Sequence, residues 1–409
     1  MESIVNRFSA VALVVMYANP DRYPPTINAV NILRAHYHVH VICRLHDAID
    51  YPWPDDVVIE RLGTEGSVDD KMAESAVIKL REYLSFRRTV HTRIRELSPV
   101  LVYTYEPHAF VASLTIKKPD ALLVYHRHEV EEIGKLPCFS LQTWIVHLAL
   151  RSTKRADILV FPEKNRAAYY ATLSRDNRPA FIVPNTPSIY AFPPRGDWSE
   201  LIADRWTRKQ VFFRGYVGPS NGVLEVLDAL PHMKQRVTLA LIGHITDEFR
   251  ARIFAITDRD ESSQQVRIEG YVPYIIANRE TYQASCGFTL PLPVSTNWTY
   301  IVSASNKIFE YAACGLPVIV PDRPAYREYF SRESWVHYAD PSSPASIAAA
   351  IDEVFSDRQL YTAMCHAARE AFETRFHYEI VFQPVLDRIR ELLARKGGES
   401  TPPPHSDSA

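Results

Sequence analysis

Glycine is scarce in this chain, 13 residues in 409, and where it is missing two large enzyme classes lose support. No Gly-x-Gly-x-x-Gly follows the first apolar run and no Walker loop occurs, so a dinucleotide oxidoreductase or a P-loop nucleotidase would lack its phosphate-cradling turn. Cysteine is sparse too: Cys43, Cys138, Cys286, Cys314 and Cys365 are five in number, widely spaced, and contain no Cys-x-x-Cys pair. Such a set reads as free thiols in a reducing cytosol. No apolar run reaches the roughly 18 residues of a membrane span; the longest candidate is WIVHLAL from Trp144. The opening MESIVNRFSA has no apolar region ahead of a small-residue cleavage site, so a soluble, cytoplasmic protein is expected. Neither sign of charge is in excess: the formal net charge is −2 with 23% charged residues, so nothing demands nucleic acid.

What is present is alternation. Strand-like runs at 10–17, 39–44, 100–105, 121–128, 156–161 and 181–185 are separated by helical patterns near 26–36, 70–97, 139–155 and 163–173. A proline-rich break at 185–198 precedes a second series, with strands at 211–216, 238–244, 266–272, 286–292, 317–320 and 335–339 and helical patterns from 344 to 395. Alternation of this kind implies parallel sheets with helices on both faces. The expected fold class is therefore α/β, two doubly wound Rossmann-like domains facing a central cleft. The expected domains are 1–190 and 191–377, followed by a C-terminal helix at 378–395 and a disordered tail at 396–409. Ligands of open α/β sheets bind outside the carboxyl ends of the strands, so motifs there carry the functional argument.

Three motifs lie at such ends. The turn RGYVGPSNG places Gly215, Gly218, Asn221 and Gly222 between a strand and a helix starting near Val223; it reads equally as an anion-binding turn or an ordinary tight one. The segment SNKIFEYAACGLPVIVPD, 305–322, reads as a short helix with Ser305 as N-cap, stopped by Gly315 in the left-handed conformation and by Pro317, then a buried strand. Its inward face would be Ile308, Tyr311, Ala312 and Gly315, with Asn306, Glu310 and Ala313 on another side. By local pattern alone Glu310 pairs with Lys307 on solvent, worth a few tenths of a kcal/mol. The third motif, YHRHEVEE, puts His126 and His128 on one side of a strand end; His-x-His has ligand potential, but no Asp-x-Asp accompanies it.

Together, VFFRGYVGPSNGVLEVLDAL, LALIGH, VRIEGYV and the 305–322 segment resemble the donor-binding domain of retaining glycosyltransferases of family 4, in the branch with an Asn-Lys-x-x-Glu-Tyr motif. ALLVYHRHEVEE is similar to a strand end of their first domain, and the resemblance extends to about residue 395. It implies the GT-B fold and transfer of a sugar from a nucleotide sugar, UDP- or GDP-linked, with retained anomeric configuration and without a metal ion or other cofactor. Glu310 would accept hydrogen bonds from the ribose hydroxyls. Arg214, Lys307 and amides at Gly215, Gly218, Asn221, Gly222 and Gly243 would hold the diphosphate, with Ser305 and Asn306 beside them. Backbone groups at Tyr271 and Val272 would meet the base, and His128 would lie near the reacting sugar.

Two departures stand out: Val302 occupies the position of a further family glutamate, and Tyr216 and Asn221 replace a customary Arg and Lys. They leave open a degenerate GT-B protein that binds a glycan or partner as a scaffold. The acceptor is a saccharide, a lipid-linked saccharide or a small molecule. The stretch 79–97, six Lys/Arg against two Glu, would make peripheral contact with an anionic membrane; its apolar residues would equally serve to cover the first sheet.

Overall fold

The computed structural model describes residues 10–46, 51–64, 66, 74–115, 120–257 and 265–397. The chain divides into two compact units, Met1–Val183 with Val381–Ala409, and Pro184–Ile380.

The first unit is built on a seven-stranded sheet, every strand pair parallel, in the order β3-β2-β1-β4-β5-β6-β7. The strands are β1 Val11–Met16, β2 His38–Arg44, β3 Val57–Leu62, β4 Leu101–Tyr105, β5 Leu122–His126, β6 Ile158–Phe161 and β7 Phe181–Ile182. The central β4 and β5 are buried throughout, as parallel strands covered on both faces must be. Edge strand β3 escapes the sequence reading, because VVIERL is short, half-buried and carries two charges. The Glu106–Ser113 helix escapes it too, since it follows β4 directly with no polar N-cap side chain. From Val381 the last helix packs in this unit: Phe382 lies against Tyr103, Arg390 reaches His36 at 3.1 Å and Lys396 Nζ donates to the Asp120 carbonyl at 2.6 Å.

The second unit holds a six-stranded parallel sheet in the order β10-β9-β8-β11-β12-β13. Its strands are β8 Gln210–Arg214, β9 Thr238–Ile242, β10 Val266–Glu269, β11 Cys286–Phe288, β12 Val318–Pro321 and β13 Val336–Ala339. The chain order reverses between β8 and β11, which makes the carboxyl ends of those strands the unit's switch point.

The units divide at 183/184 and 380/381, not at the expected 190/191 and 377/378. The proline-rich segment explains the shift, because it is fastened to the second unit: the Asn185 amide donates to the Ser303 carbonyl at 2.9 Å and Pro187 accepts from the Tyr378 amide at 3.0 Å. The 396–409 segment lies outside the described residues apart from its first two.

All five cysteines are free, four of them buried. Among the described residues, no helix is long and apolar enough to cross a membrane.

Candidate functional site

The switch point of the second unit carries the 305–322 motif. The Asn306–Ala313 helix ends as its sequence demands: Cys314 is the C-cap, Gly315 takes φ 65°, and the Leu316 amide bonds back to the Tyr311 carbonyl at 2.9 Å. A side chain at Gly315 would also meet the Trp198 ring at 2.3 Å. Two buried arginines complete that end, Arg205 donating to the Cys314 carbonyl at 2.9 Å and Arg369 to the Ala313 carbonyl at 2.5 Å. Cations at a helix C-terminus satisfy its orphan carbonyls and its dipole together.

Two expectations for this helix are corrected. Ser305 does not cap it: the hydroxyl makes no bond to a first-turn amide and is buried without a partner, as is Asn306 Oδ1. Nor does the helix keep a solvent side, for Ile308 through Ala313 are all buried, Glu310 being 5% exposed. Neighbouring elements close over it on every side, so Glu310 forms no surface ion pair with Lys307.

Glu310 is instead engaged from two other elements. Arg214, last residue of β8, lies with Nε 3.2 Å from Oε2, and the Tyr274 hydroxyl donates to Oε1 at 3.2 Å. Arg214 itself is 6% exposed, donates from Nη1 to Asn278 Oδ1 at 2.8 Å and Thr281 Oγ1 at 3.1 Å, and sits 5.1 Å over the Tyr274 ring. Burial works against its charge, yet the Glu310 carboxylate raises the guanidinium's pKa above its ordinary value. Burial also pushes the Tyr274 hydroxyl up, and the Glu310 charge adds to it. The carboxylate is thus fixed in orientation by a cation and a hydroxyl.

Lys307, one turn earlier, is only partly covered and, among the described residues, has no carboxylate within ion-pair distance; its ammonium lies 5.4 Å over the Phe213 ring. Burial lowers its pKa, and the Arg214 cation lowers it further, against the pull of Glu310. A lysine held this way is an available cation at the strand ends.

The glycines bring backbone to the same place. Gly215 and Gly243, directly after β8 and β9, have φ 112° and 137°, and a Cβ on Gly243 would fall 1.8 Å from the Gly215 carbonyl oxygen. Only glycine permits that approach, and Gly215 in turn lies against the Lys307 side chain. Gly218 and Gly222 flank the 3-10 turn Pro219–Asn221, ahead of the Val223–Ala229 helix. Asn221 serves this turn, since its Nδ2 donates to the Tyr216 carbonyl at 2.8 Å. Tyr216, where a cation was looked for, is half exposed. Val302 packs into the core. Beyond β10, Tyr271 is 74% exposed, and among the described residues neither it nor Val272 has a backbone hydrogen-bond partner.

In the first unit, His128 lies just past β5, its ring stacked on Tyr105 at 5.4 Å and close to His126 at 4.6 Å. His126 is the more enclosed: Nδ1 meets the Tyr103 hydroxyl at 2.9 Å, and burial holds its pKa well below the usual range. The His128 peptide is gripped from both sides. Glu106 Oε1 accepts its N–H at 2.7 Å, and Arg166 donates to its carbonyl. Glu106 has φ 64°, rare for a non-glycine residue, and its Oε2 is 3.7 Å from Arg127 Nε. Burial pushes the Glu106 carboxyl up to about 7, with Arg127 opposing and Glu131 and Glu129 reinforcing. Arg127 is shared, since it also pairs with Glu131.

The structure therefore brings Arg214, Gly215, Gly243, Lys307 and Glu310 to one strand edge, with Ser305 and Asn306 at the start of the same helix. Sequence reading missed Tyr274, Asn278, Thr281, Glu106 and Arg166. The Glu-Pro step at 106–107 after a buried strand was a usable signal; the others act through tertiary contacts that no local pattern encodes.

The comparisons with known proteins cover both units. Residues 208–357 match the family model described as glycosyl transferases group 1. No curated protein matches by sequence. Among solved structures, the chain is similar to sucrose-phosphate synthase from Thermosynechococcus elongatus, with TM-score 0.69 and 14% identity over 94% of this chain and 99% of that one. It is similar to a glycosyltransferase from Rickettsia africae, with TM-score 0.70 and 13% identity over 94% and 99%. It is also similar to Anabaena HepE in complex with UDP and glucose, with TM-score 0.65 and 14% identity over 93% and 100%. At such identities the likeness is one of fold, and that fold is GT-B, two Rossmann-like α/β domains with parallel sheets.

Proposed function

We propose that this GT-B chain is a glycosyltransferase that moves a sugar from a nucleotide-sugar donor, UDP- or GDP-linked, to an acceptor hydroxyl with retention of anomeric configuration. The observation that carries the reading is the buried Glu310 carboxylate, oriented by Arg214 and Tyr274 and set beside the unpaired Ser305 hydroxyl and Asn306 carbonyl oxygen. Buried polar atoms in native proteins are almost always satisfied, so orphans at a strand-end switch point mark where a polar ligand completes them. An ionised carboxylate offers only acceptors, which suits two adjacent ribose hydroxyls.

Lys307 and the amides around Gly215, Gly218, Gly222 and Gly243 are the groups available to a diphosphate, and they would stabilise the charge that develops on it as it leaves. Arg214 supports this indirectly by holding Glu310. The unpartnered backbone at Tyr271 and Val272 suits recognition of a base. A neighbour of the same fold, HepE, was solved in complex with UDP and glucose, which favours a uridine donor. His128, with its peptide fixed by Glu106 and Arg166, is the first unit's group for the reacting sugar, and the acceptor is a saccharide, lipid-linked saccharide or small molecule taken up in the cytoplasm. No metal is required by this donor set, whose anionic partner is met by an ammonium and amides.

A second reading has one observation in its favour. Arg214 and Asn221 are both engaged within the protein, so that of the two cations expected at the diphosphate only Lys307 has no carboxylate partner among the described residues. A chain so depleted could retain the fold as a glycan-binding scaffold.

The experiment is a thermal-shift panel of UDP, GDP, ADP and dTDP with their sugar conjugates, on wild type and Glu310→Gln, followed by product analysis for anomeric configuration. A shift for one nucleotide that is lost in the variant supports the transferase. The absence of any shift at millimolar ligand would put the scaffold ahead.

A further inference from the structure

The helix at 79–97 does not present the apolar face its composition suggested, because Tyr83, Phe86, Val90 and Ile94 are buried in the core. Arg93 is paired with Glu60 and Glu96, and Arg87 donates to the Leu114 carbonyl. What the Ala76–Leu97 helix exposes is a different stripe. Val77, Arg81, Leu84 and Arg88 succeed one another at intervals of four, three and four, which aligns them on one side. Val77 is 76% exposed and Leu84 52%, and the two arginines are exposed as well.

A second stripe of the same composition stands on the Leu141–Ser152 helix. Trp144, Leu148 and Arg151 follow at intervals of four and three, with Trp144 70% and Leu148 48% exposed. Just ahead of the helix, Phe139 is 94% exposed at φ 62°. The two helices touch each other and close over the buried Glu106–Ser113 helix, so their outer sides belong to one surface of the unit. Each follows a strand of the same parallel sheet, so both begin at its carboxyl edge. Val77, Phe139 and Trp144 therefore lie nearest that edge; along the first stripe Arg81 and Arg88 alternate with Val77 and Leu84, and along the second Arg151 comes last.

We propose that this double stripe is a docking surface for an anionic lipid bilayer. Charge argues for that occupant. Residues 76–97 and 139–155 together hold nine Lys/Arg against two Glu, in a chain whose net charge is −2. Both of those glutamates are already paired, Glu82 with Arg44 and Glu96 with Arg93. Arg81, Arg88 and Arg151 have no carboxylate within ion-pair distance among the described residues, and the Leu141–Ser152 helix contains no acidic residue. Exposed aromatic and aliphatic side chains interleaved with unpaired arginines match the interface of a bilayer, with the rings at the headgroup boundary and the cations on phosphates. The surface belongs to the first unit and Glu310 to the second, and the inference holds whether or not the chain transfers sugars.

The test is co-sedimentation of the full chain with vesicles of phosphatidylcholine and with vesicles of equal parts phosphatidylcholine and phosphatidylglycerol. Wild type is expected to bind the anionic vesicles and not the neutral ones. Each arginine at the surface contributes a factor of about five, so Arg81→Glu with Arg88→Glu and Arg151→Glu lowers binding by roughly a hundredfold or more. Phe139→Ser with Trp144→Ser also lowers it, while unfolding midpoints and nucleotide shifts stay at the wild-type values. Binding that both variants retain, or no binding by wild type, would overturn the proposal. So would concentration-dependent self-association abolished by Phe139→Ser with Trp144→Ser, which would assign the surface to a second copy.

Discussion

Each unit places a glutamate beside an arginine at the carboxyl edge of a parallel sheet, and the two pairs behave differently. In the second unit Glu310 and Arg214 meet at 3.2 Å, each nearly fully buried, and among the described residues the arginine has no second carboxylate partner. In the first, Arg127 stands 3.7 Å from Glu106 and is shared with Glu131, while Glu106 turns its other oxygen to the amides of His128 and Glu129. The consequence is visible in the charges. In both units the neighbouring carboxylates help hold the arginine in its charged form, and in the first unit burial also pushes the Glu106 carboxyl up to about 7. A counter-ion that is shared and 3.7 Å away leaves desolvation to dominate at Glu106.

The largest expected effect breaks the dedicated pair. Arg214→Ala leaves Glu310 buried without its cation and should destabilise the second unit by about 3–5 kcal/mol in urea unfolding. A loss under about 1 kcal/mol would mean that the pair has no structural weight. A smaller effect tests the shared pair. The folded state keeps the proton on Glu106 that the unfolded chain releases near its ordinary 4.5, so this group's contribution to stability is lost as pH rises from 4.5 to about 7. The total is at most about 3 kcal/mol, at ~1.4 kcal/mol per pK unit. Glu106→Gln should flatten that part of the stability–pH curve, and an unchanged curve would remove Glu106 as its source.

The smallest effect concerns Lys307, which has no carboxylate partner among the described residues. If its ammonium meets the diphosphate, nucleotide affinity should fall as pH rises through a value below the ordinary 10.5, by about tenfold, the worth of one charge-assisted bond. Lys307→Met should bind about tenfold more weakly at neutral pH, with no such decline at high pH. Calorimetric titration across pH separates these outcomes, and a parallel decline in both proteins would assign it elsewhere.

Much of the architecture was legible beforehand because it rests on patterns a few residues long. Apolar runs such as ALLVYH and TLALI have no amphipathic period and are readable as buried parallel strands. The stop at Gly315 followed by Pro317 needs only local backbone chemistry, and the φ of 65° follows. Ser305 failed as a cap for the complementary reason: its preference for that position is real, but the tertiary environment buried the hydroxyl away from the first-turn amides. The burial of Ile308 through Ala313 on all sides of the Asn306–Ala313 helix was equally out of reach, because it depends on what packs against each side.

The sequence by itself determined the alternation of strands and helices, two parallel sheets and the presence of a carboxylate at Glu310, since short-range periodicity and turn chemistry specify these directly. Only the tertiary structure decided what that carboxylate faces. Arg214 and Tyr274 are 96 and 36 residues away along the chain and meet Glu310 because β8 ends, and the Tyr274–Gln283 helix begins, at the same sheet edge. The same distance from local pattern separates Glu106 from His128, and Trp144 from the Ala76–Leu97 helix. Counter-ions, orphaned donors and surface stripes are properties of the assembled layers, and their energies are set by burial, which no stretch of sequence fixes alone.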